Sequence, residues 1–305
     1  MTTTLALGTY RIAAEHLPAA AERAANSPAQ MIDTAPNYCG GRAHQLIAPA
    51  LQTHPTLRVA TKVGFLTTDS ARAATADGVL GDTGTTTRHS LAAPFVRWQS
   101  ERNREELGRD HLDIIFLHNP EQTSAQEPLH QQLRAAFTVL EEQAADGRLS
   151  SYGVATWQGF ADGRFTVADL DRIGTEAAGT RDHHLTTIQL PVSLIEDTAL
   201  SQALHRRGPI THAADRGWKV HASAPLHGGT LTRLAGKSDL AKMIRPGATI
   251  AEACLAVTAS CPGITAVLTS TANAEHWNTA LAALDKPAIP TDTLRMVLDV
   301  LATVD

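Results

Sequence analysis

The chain has 305 residues, and 43% of them are hydrophobic, so it can bury either one large core or two ordinary ones. Its formal net charge is -5 and it has no dense run of Lys or Arg, which argues against a nucleic-acid or anionic membrane surface. Because the sequence shows neither a basic leader nor a run of about 18 apolar residues, we expect a soluble cytoplasmic protein that acts on a small molecule.

Short apolar or β-branched runs recur along the chain, and each predicts a buried strand. In chain order they are TLALG, QMIDT, LRVATK, LDIIFLH, SYGVAT, LTTIQL, WKVHAS and GITAVLT. Longer segments between them, such as AHQLIAPALQTH, VRWQSERNREEL, LHQQLRAAFTVLEEQAADG and IAEACLAVTAS, show the spacing of amphipathic helices. The segment DLDRIGTEAAGTRD predicts a weaker helix because it contains glycines. Eight strands alternating with helices favour an α/β fold, a closed (β/α)8 TIM barrel with a single domain over residues 1–305.

Four polar residues lie where such a barrel places its chemistry, at the C-terminal ends of strands and on the loops that follow them. Asp33 ends the second apolar run, Lys62 ends the third and His118 ends the fourth. Tyr38 lies on the loop just beyond Asp33. The barrel therefore predicts that an acid, a phenol, an ammonium and an imidazole meet at one mouth.

The segments around these residues resemble a known family. IDTAPNY, ATKVGF and LDIIFLHNPE are similar to the signature segments of the aldo-keto reductases, and the resemblance extends from LALGTY through APLHGGTL to GITAVLTST. The resemblance implies a (β/α)8 fold, a nicotinamide cofactor and a catalytic tetrad at Asp33, Tyr38, Lys62 and His118. The TKVG segment is closest to the branch that acts on free sugars and pyridoxal.

The chemistry of carbonyl reduction calls for these residue types. Hydride addition to a carbonyl carbon leaves an alkoxide, which needs a proton donor and a second hydrogen-bond donor. Tyr38 is the natural proton donor, and an adjacent Lys62 is expected to lower its pKa. Asp33 is expected to hold Lys62 charged, while His118 orients the carbonyl oxygen by a hydrogen bond.

The resemblance also implies cofactor contacts in the second half of the chain. Gln189 matches the glutamine that holds the nicotinamide amide, and SAPLHGGTL matches the loop along the pyrophosphate, with predicted contacts at Ser223, Pro225, Leu226 and Gly228. Ser223 stands where the family usually has an aromatic residue stacked on the nicotinamide. Ala155 and Thr156 stand in place of a Ser-Asn pair, so Thr156 is predicted to replace one donor. Trp157 is either a compensating platform or a core tryptophan.

The segment that would read the adenosine 2′-phosphate departs from the family. LTSTANAEHWNTAL offers Ser270, Thr271 and His276 as cofactor-binding residues, with Ala280 further on, and no permanent cation to pair a phosphate. A helix N-terminus near Asn273 could still bind one. The predicted cofactor is NADP(H) or NAD(H), with NADP(H) favoured.

Residues 66–89 form a long, polar, glycine-bearing stretch that predicts a loop over the C-terminal face of the barrel. One interpretation is a lid that covers the substrate, with Arg88 or His89 contacting an anionic group. The other is a mobile surface loop.

The sequence as a whole predicts an oxidoreductase that reduces an aldehyde or ketone, or oxidises an alcohol, by hydride transfer, with Tyr38 as general acid/base. The alternatives are a non-redox lyase, dehydratase or isomerase that uses Tyr38 and Lys62 for proton transfer, and a non-catalytic regulatory homologue. No metal site is predicted because the histidines lack HExxH spacing, and the three cysteines lack CxxC spacing and are expected to be reduced thiols. The partner is a small carbonyl compound or alcohol, not a nucleic acid or a membrane, and the oligomeric state is left open.

Overall fold

The computed structural model describes residues 3–29, 31–81, 88–123, 127–233 and 237–303. Eight strands form a closed barrel in chain order. Each overlaps one of the eight apolar runs, which confirms the predicted (β/α)8 barrel. The strands are β1 Thr4–Gly8, β2 Met31–Asp33, β3 Arg58–Val63, β4 Leu112–His118, β5 Leu149–Ala155, β6 Leu185–Pro191, β7 Lys219–Ser223 and β8 Ala266–Thr269.

Helices alternate with these strands. They are α1 Leu17–Ala25, α2 Ala43–Thr53, α3 Thr68–Ala76, α4 Ala93–Leu107, α5 Leu129–Ala145, α6 Val167–Ala178, α7 Thr198–Leu204, α8 Gly208–Ala214, α9 Lys237–Ile244, α10 Ile250–Ser260, α11 Ala274–Asp285 and α12 Thr291–Ala302. The weaker predicted helix forms as α6, because Thr166 and Asp169 cap its start reciprocally and Gly179 ends it in the left-handed conformation. None of the described helices is long and apolar enough to cross a membrane.

The chain divides into two compact units. We call Leu7–Thr187 the N-terminal unit, and the described residues of Ile188–Asp305 and Met1–Ala6 the C-terminal unit. A single domain over residues 1–305 stays a prediction. In the C-terminal unit, β7 pairs with β8 in parallel, with His221 opposite Ala266.

The N-terminal unit aligns the strand ends that carry the predicted catalytic residues. Strands β1 to β5 pair in parallel, with Asp33 opposite Ala60, Lys62 opposite Phe116 and His118 opposite Ala155. Side chains of these strands are buried in an apolar cluster that includes Ala60, Ile114, Phe116 and Ala155. Parallel pairing brings the C-terminal ends of β2, β3 and β4 to the same edge.

The predicted loop of residues 66–89 contains a helix, α3. Thr67 and Ser70 cap its start reciprocally, with Ser70 N donating to Thr67 Oγ1 at 3.1 Å and Thr67 N donating to Ser70 Oγ at 2.8 Å. A buried cluster holds the helix in place and comprises Leu66, Ala71, Ala74 and Phe95. The polar composition of this stretch concealed a narrow alanine face, so the prediction of a loop was wrong for Thr68–Ala76. Residues 82–87 lie outside the described residues, and the position of the stretch over the barrel mouth stays a prediction.

Candidate active site

Lys62 and Asp33 form a buried ion pair at the ends of β3 and β2. Their exposed fractions are 1% and 4%, and Lys62 Nζ donates to Asp33 Oδ1 at 2.5 Å and to the Thr34 carbonyl at 2.8 Å. Burial lowers the pKa of Lys62, but Asp33 and Tyr38 outweigh it, so the pKa is raised above its ordinary value. Lys62 is therefore a charged ammonium at neutral pH, in a position fixed by two oxygen acceptors.

Neighbouring elements hold the backbone around this ion pair. Thr9 N, just after β1, donates to the Asp33 carbonyl at 2.9 Å, and its hydroxyl donates to Thr34 Oγ1 at 2.9 Å. Asn103 of α4 donates its amide to the Lys62 carbonyl at 2.9 Å. The ion pair is thus supported from the strand on one side and the helix on the other.

Tyr38 begins a tight turn that follows β2. The next residue, Cys39, has φ 51° and ψ 37°, the left-handed conformation that is uncommon for a residue other than glycine. The Cys39 thiol donates to the Ile12 carbonyl at 3.1 Å. The turn places the Tyr38 ring 5.1 Å from Lys62 Nζ and 5.1 Å from the ring of Tyr10.

The pKa of Tyr38 departs from the sequence prediction in its net direction. Burial raises this pKa, the charge and hydrogen bond of Lys62 lower it, and the charge of Asp33 raises it again. Burial prevails, so the pKa lies above the ordinary tyrosine value. Lys62 acts in the expected direction, yet Tyr38 remains a protonated phenol at neutral pH.

His118 lies against Tyr38 at the end of β4. The two rings meet edge to face with centroids 5.9 Å apart, and Phe65 contacts His118 in the same way at 4.8 Å. Burial and the charge of Lys62 hold the pKa of His118 well below its ordinary value, so the imidazole is neutral. The structure therefore brings all four predicted catalytic residues into one cluster.

Glu121 is a residue of this region that the sequence interpretation missed. Its Oε1 accepts hydrogen bonds from the Thr156 hydroxyl at 2.7 Å and from the amides of Trp157 and Gln158 at 3.1 Å each. It thereby fixes the loop that follows β5. The available signal was an acid three residues after His118, in a segment that also begins at a strand end.

This arrangement changes the predicted role of Thr156. Its hydroxyl donates its one proton to Glu121 and accepts from the Gly159 amide at 2.8 Å, so Thr156 can offer a ligand an acceptor but not the predicted donor. Trp157 is 40% exposed, which excludes the core interpretation.

Five of the predicted cofactor residues of the C-terminal unit lie in β6, at the end of β7 and in the following loop. Gln189 is 5% exposed within β6, and Ser223 ends β7, where its carbonyl accepts from the Val192 amide at 3.1 Å. In the loop, which includes Pro225, Leu226 and Gly228, Ala224 and His227 adopt left-handed φ values of 50° and 44°. Left-handed residues other than glycine store backbone strain, a feature that clusters at ligand sites.

The start of α11, predicted as an anion site, is already capped. Asn273 Oδ1 accepts from the amides of Glu275 and His276 at 2.7 and 3.2 Å, and Thr271 Oγ1 accepts from the Asn273 amide at 3.1 Å. Glu275 adds a negative charge in the first turn. The N–H groups expected for a phosphate are thus partly used, while Ser270 and His276 are exposed.

Comparisons with known proteins agree with this architecture. The model of the aldo/keto reductase family matches residues 2–300. A D-threo-aldose 1-dehydrogenase from Pseudomonas sp is 29% identical over 150 residues, and the match covers 46% of this chain and less than half, 44%, of that protein. The crystal structure of an aldo/keto reductase from Klebsiella pneumoniae, in complex with NADP and acetate, superimposes with a TM-score of 0.67 at 21% identity, over 98% of this chain and 90% of that one. A glycerol dehydrogenase from Gluconobacter oxydans gives a TM-score of 0.72 at 17% identity, over 99% and 92% of the two chains. At these identities the two structures establish a shared fold.

Proposed function

Because the chain belongs to the aldo/keto reductase family, we propose that this oxidoreductase transfers a hydride between a nicotinamide cofactor and a small aldehyde, ketone or alcohol. The observation that carries the proposal is the cluster of a charged Lys62, a protonated Tyr38 and a neutral His118, anchored by Asp33. A proton donor, a fixed positive charge and a neutral imidazole are the groups that a developing alkoxide requires.

Tyr38 is the proton donor in this proposal. When bound, the nicotinamide supplies the hydride in reduction and accepts it in oxidation. In reduction, Tyr38 gives its phenolic proton to the carbonyl oxygen as that oxygen gains negative charge, and Lys62 stabilises the phenolate that remains. His118, being neutral, donates one ring N–H to the same oxygen and orients it.

Hydrogen-bond stoichiometry supports the pairing of Lys62 with Tyr38. An ammonium has three N–H donors, and two of them are taken by Asp33 and the Thr34 carbonyl. The third is left for the hydrogen bond with Tyr38. The lysine therefore cannot turn away without breaking buried hydrogen bonds, so its charge stays beside the phenol.

The cofactor that we propose is NADP(H) or NAD(H), as in the family. The residues of the C-terminal unit proposed to hold it are Gln189, Ser223, Pro225, Leu226, Gly228, Ser270, Thr271 and His276. In the N-terminal unit, Thr156 would accept a hydrogen bond from the carboxamide N–H. The start of α11 fits a 2′-phosphate poorly, because the amides of Glu275 and His276 are already capped by Asn273.

The substrate that we propose is a small hydroxylated carbonyl compound or its alcohol, such as a free aldose or a short polyol. The support comes from the names of two relatives, the D-threo-aldose 1-dehydrogenase and the glycerol dehydrogenase. Short aldoses, glyceraldehyde, glycerol and pyridoxal therefore form the first panel to assay.

Titration of the purified protein with NADPH and NADH, followed by nicotinamide fluorescence, tests the proposal at its first step. We expect binding of at least one nucleotide and its oxidation when a substrate from the panel is added. No detectable binding at millimolar concentration would favour the non-redox alternative. If the wild type and Tyr38→Phe both bind a nucleotide and neither turns over any member of the panel, the regulatory homologue would be favoured.

A further inference from the structure

A short antiparallel bridge next to the catalytic cluster joins the end of β3 to the segment before α4. Phe65 lies opposite His89 in this bridge. The Leu66 amide donates to the Arg88 carbonyl at 2.9 Å, and the Ser90 amide donates to the Gly64 carbonyl at 2.9 Å. The bridge carries His89, which is 9% exposed, into the interior of the N-terminal unit.

His89 contacts the backbone of the proposed orienting residue. Its Nε2 lies 2.8 Å from the His118 carbonyl oxygen. The carbonyl can only accept, so His89 is the donor and carries its proton on Nε2. Burial lowers the pKa of His89, which leaves its ring neutral with one N–H to donate.

Phe65 packs against both imidazoles. Its ring meets those of His89 and His118 edge to face, with centroids 4.8 Å apart in both pairs. Gly64 leaves the space that this arrangement needs, since a Cβ at that position would lie 2.8 Å from His89 Nε2. The bridge, the aromatic ring and the glycine thus fix where the His89 imidazole lies.

The backbone conformation at His118 determines where its imidazole points. The chain turns directly after this residue, and Asn119 adopts a left-handed φ of 47°. The His118 ring has contacts with Tyr38 and Phe65, while its Nδ1 has no hydrogen-bond partner among the described residues. The direction in which the imidazole points is therefore set by its backbone and by ring packing.

We propose that His89 is a positioning residue for His118: the hydrogen bond from His89 Nε2 to the His118 carbonyl, together with Phe65, holds the His118 imidazole in the orientation that the carbonyl substrate requires. The inference rests on the proposed function, which gives His118 its role. It replaces the sequence interpretation of His89 as a contact for an anionic group, because His89 is buried and its N–H is engaged.

Three variants separate the hydrogen bond from the packing. His89→Leu keeps an apolar side chain but removes the donor, whereas His89→Gln keeps an N–H at a similar distance from the backbone. His111→Leu is the matched control, because His111 Nδ1 lies 2.8 Å from the Gly147 carbonyl beside the start of β4, whereas His118 ends that strand. Should His89→Leu fail to fold, His89→Asn takes its place, since its shorter amide ends before the His118 carbonyl.

Single-turnover rates and Michaelis constants give the first readout. We expect His89→Leu to lower the single-turnover rate about tenfold. The Michaelis constants for the cofactor and for the carbonyl substrate should stay within about twofold of wild type, because a misplaced group costs transition-state stabilisation more than binding. His89→Gln should recover the rate to within about threefold, and His111→Leu should leave it unchanged. Equal losses in His89→Leu and His89→Gln, or no loss in either, would overturn the proposal.

Histidine-ring NMR of the protein without cofactor gives a second readout that does not need activity. The His118 resonances, assigned by their loss in His118→Gln, should move in His89→Leu and stay near their wild-type positions in His89→Gln and His111→Leu. A wild-type protein that turns over no substrate but shows this pattern would contradict the proposed function and leave the positioning role supported. Unmoved His118 resonances in His89→Leu would refute the positioning role whatever the activity.

Discussion

The substitution Tyr38→Phe tests the proposed proton donor with the least disturbance of its surroundings. It removes one hydroxyl and keeps the ring that contacts His118 and Tyr10. Proton transfer by a positioned side chain contributes about 10²- to 10⁴-fold to a rate, so we expect the single-turnover rate of carbonyl reduction to fall by at least about a hundredfold. That factor corresponds to about 2.7 kcal/mol or more of lost transition-state stabilisation.

The same substitution should leave the fold and cofactor binding intact. Lys62 loses its hydrogen bond with Tyr38 but keeps those with Asp33 and the Thr34 carbonyl, so the buried ammonium stays paired. The loss is one hydrogen bond, whose net value is about 0.5–1.5 kcal/mol, and its partner keeps two others. We expect a change in Tm of a few degrees at most.

Tyr10→Phe is the control, because it removes the same atom from the neighbouring ring, which is 54% exposed and 5.1 Å from that of Tyr38. Its single-turnover rate should stay within about twofold of wild type, since no proton transfer is assigned to it. Nicotinamide absorbance follows the reaction, and nicotinamide fluorescence checks cofactor binding. A Tyr38→Phe rate within about threefold of wild type, or an equal loss in Tyr10→Phe, would refute Tyr38 as the donor.

Three further predictions follow from named contacts. The single-turnover rate of reduction should be independent of pH between about 6 and 9, because Tyr38 stays protonated and His118 neutral there. The rate of oxidation should rise as the pH approaches the raised pKa of Tyr38, and a fall in the reduction rate near neutral pH would contradict this account. Thr67→Ala should lower the free energy of unfolding by roughly 0.5–2 kcal/mol in a denaturant titration, because α3 loses its cap, and an unchanged value would show that α3 is marginal to the fold. His276→Arg should raise the preference for NADPH over NADH about tenfold or more in fluorescence titrations, since it adds a charge-assisted contact at the start of α11; an unaltered ratio would place the 2′-phosphate elsewhere.

The positions of the proposed catalytic residues could be predicted because they depend on simple periodicity. Apolar runs fix where each strand ends, and parallel strands bring those ends to one edge, so Asp33, Lys62 and His118 had to lie near one another once the barrel was accepted. Tyr38 followed because it lies on the loop after β2. These conclusions needed no knowledge of side-chain packing.

The supporting contacts could not be predicted because they join residues whose pairing leaves no local pattern. His89 meets His118 through a bridge to Phe65, 24 positions earlier, with a helix between them that was itself concealed by polar composition. Glu121 fixes the loop after β5 by accepting three hydrogen bonds, yet in the sequence it is one acid among many. Contacts of this kind depend on the three-dimensional fold, and the spacing of the residues in the sequence does not reveal them.

The pKa of Tyr38 shows what residue identity alone can and cannot predict about protonation. An ammonium beside a phenol predicts a lowered pKa, but the same packing that brings Lys62 close also removes water from the hydroxyl, and this desolvation prevails. In the proposed mechanism, the acid form that reduction needs is then the resting form, whereas oxidation must first ionise the phenol, at about 1.4 kcal/mol for each pKa unit above the ambient pH. Lys62 lowers that cost, but the pKa of Tyr38 still lies above its ordinary value. The four residues of the proposed site can therefore be inferred from the sequence, while in the proposed mechanism the balance between the two directions of proton transfer is set by how deeply the fold buries the phenol.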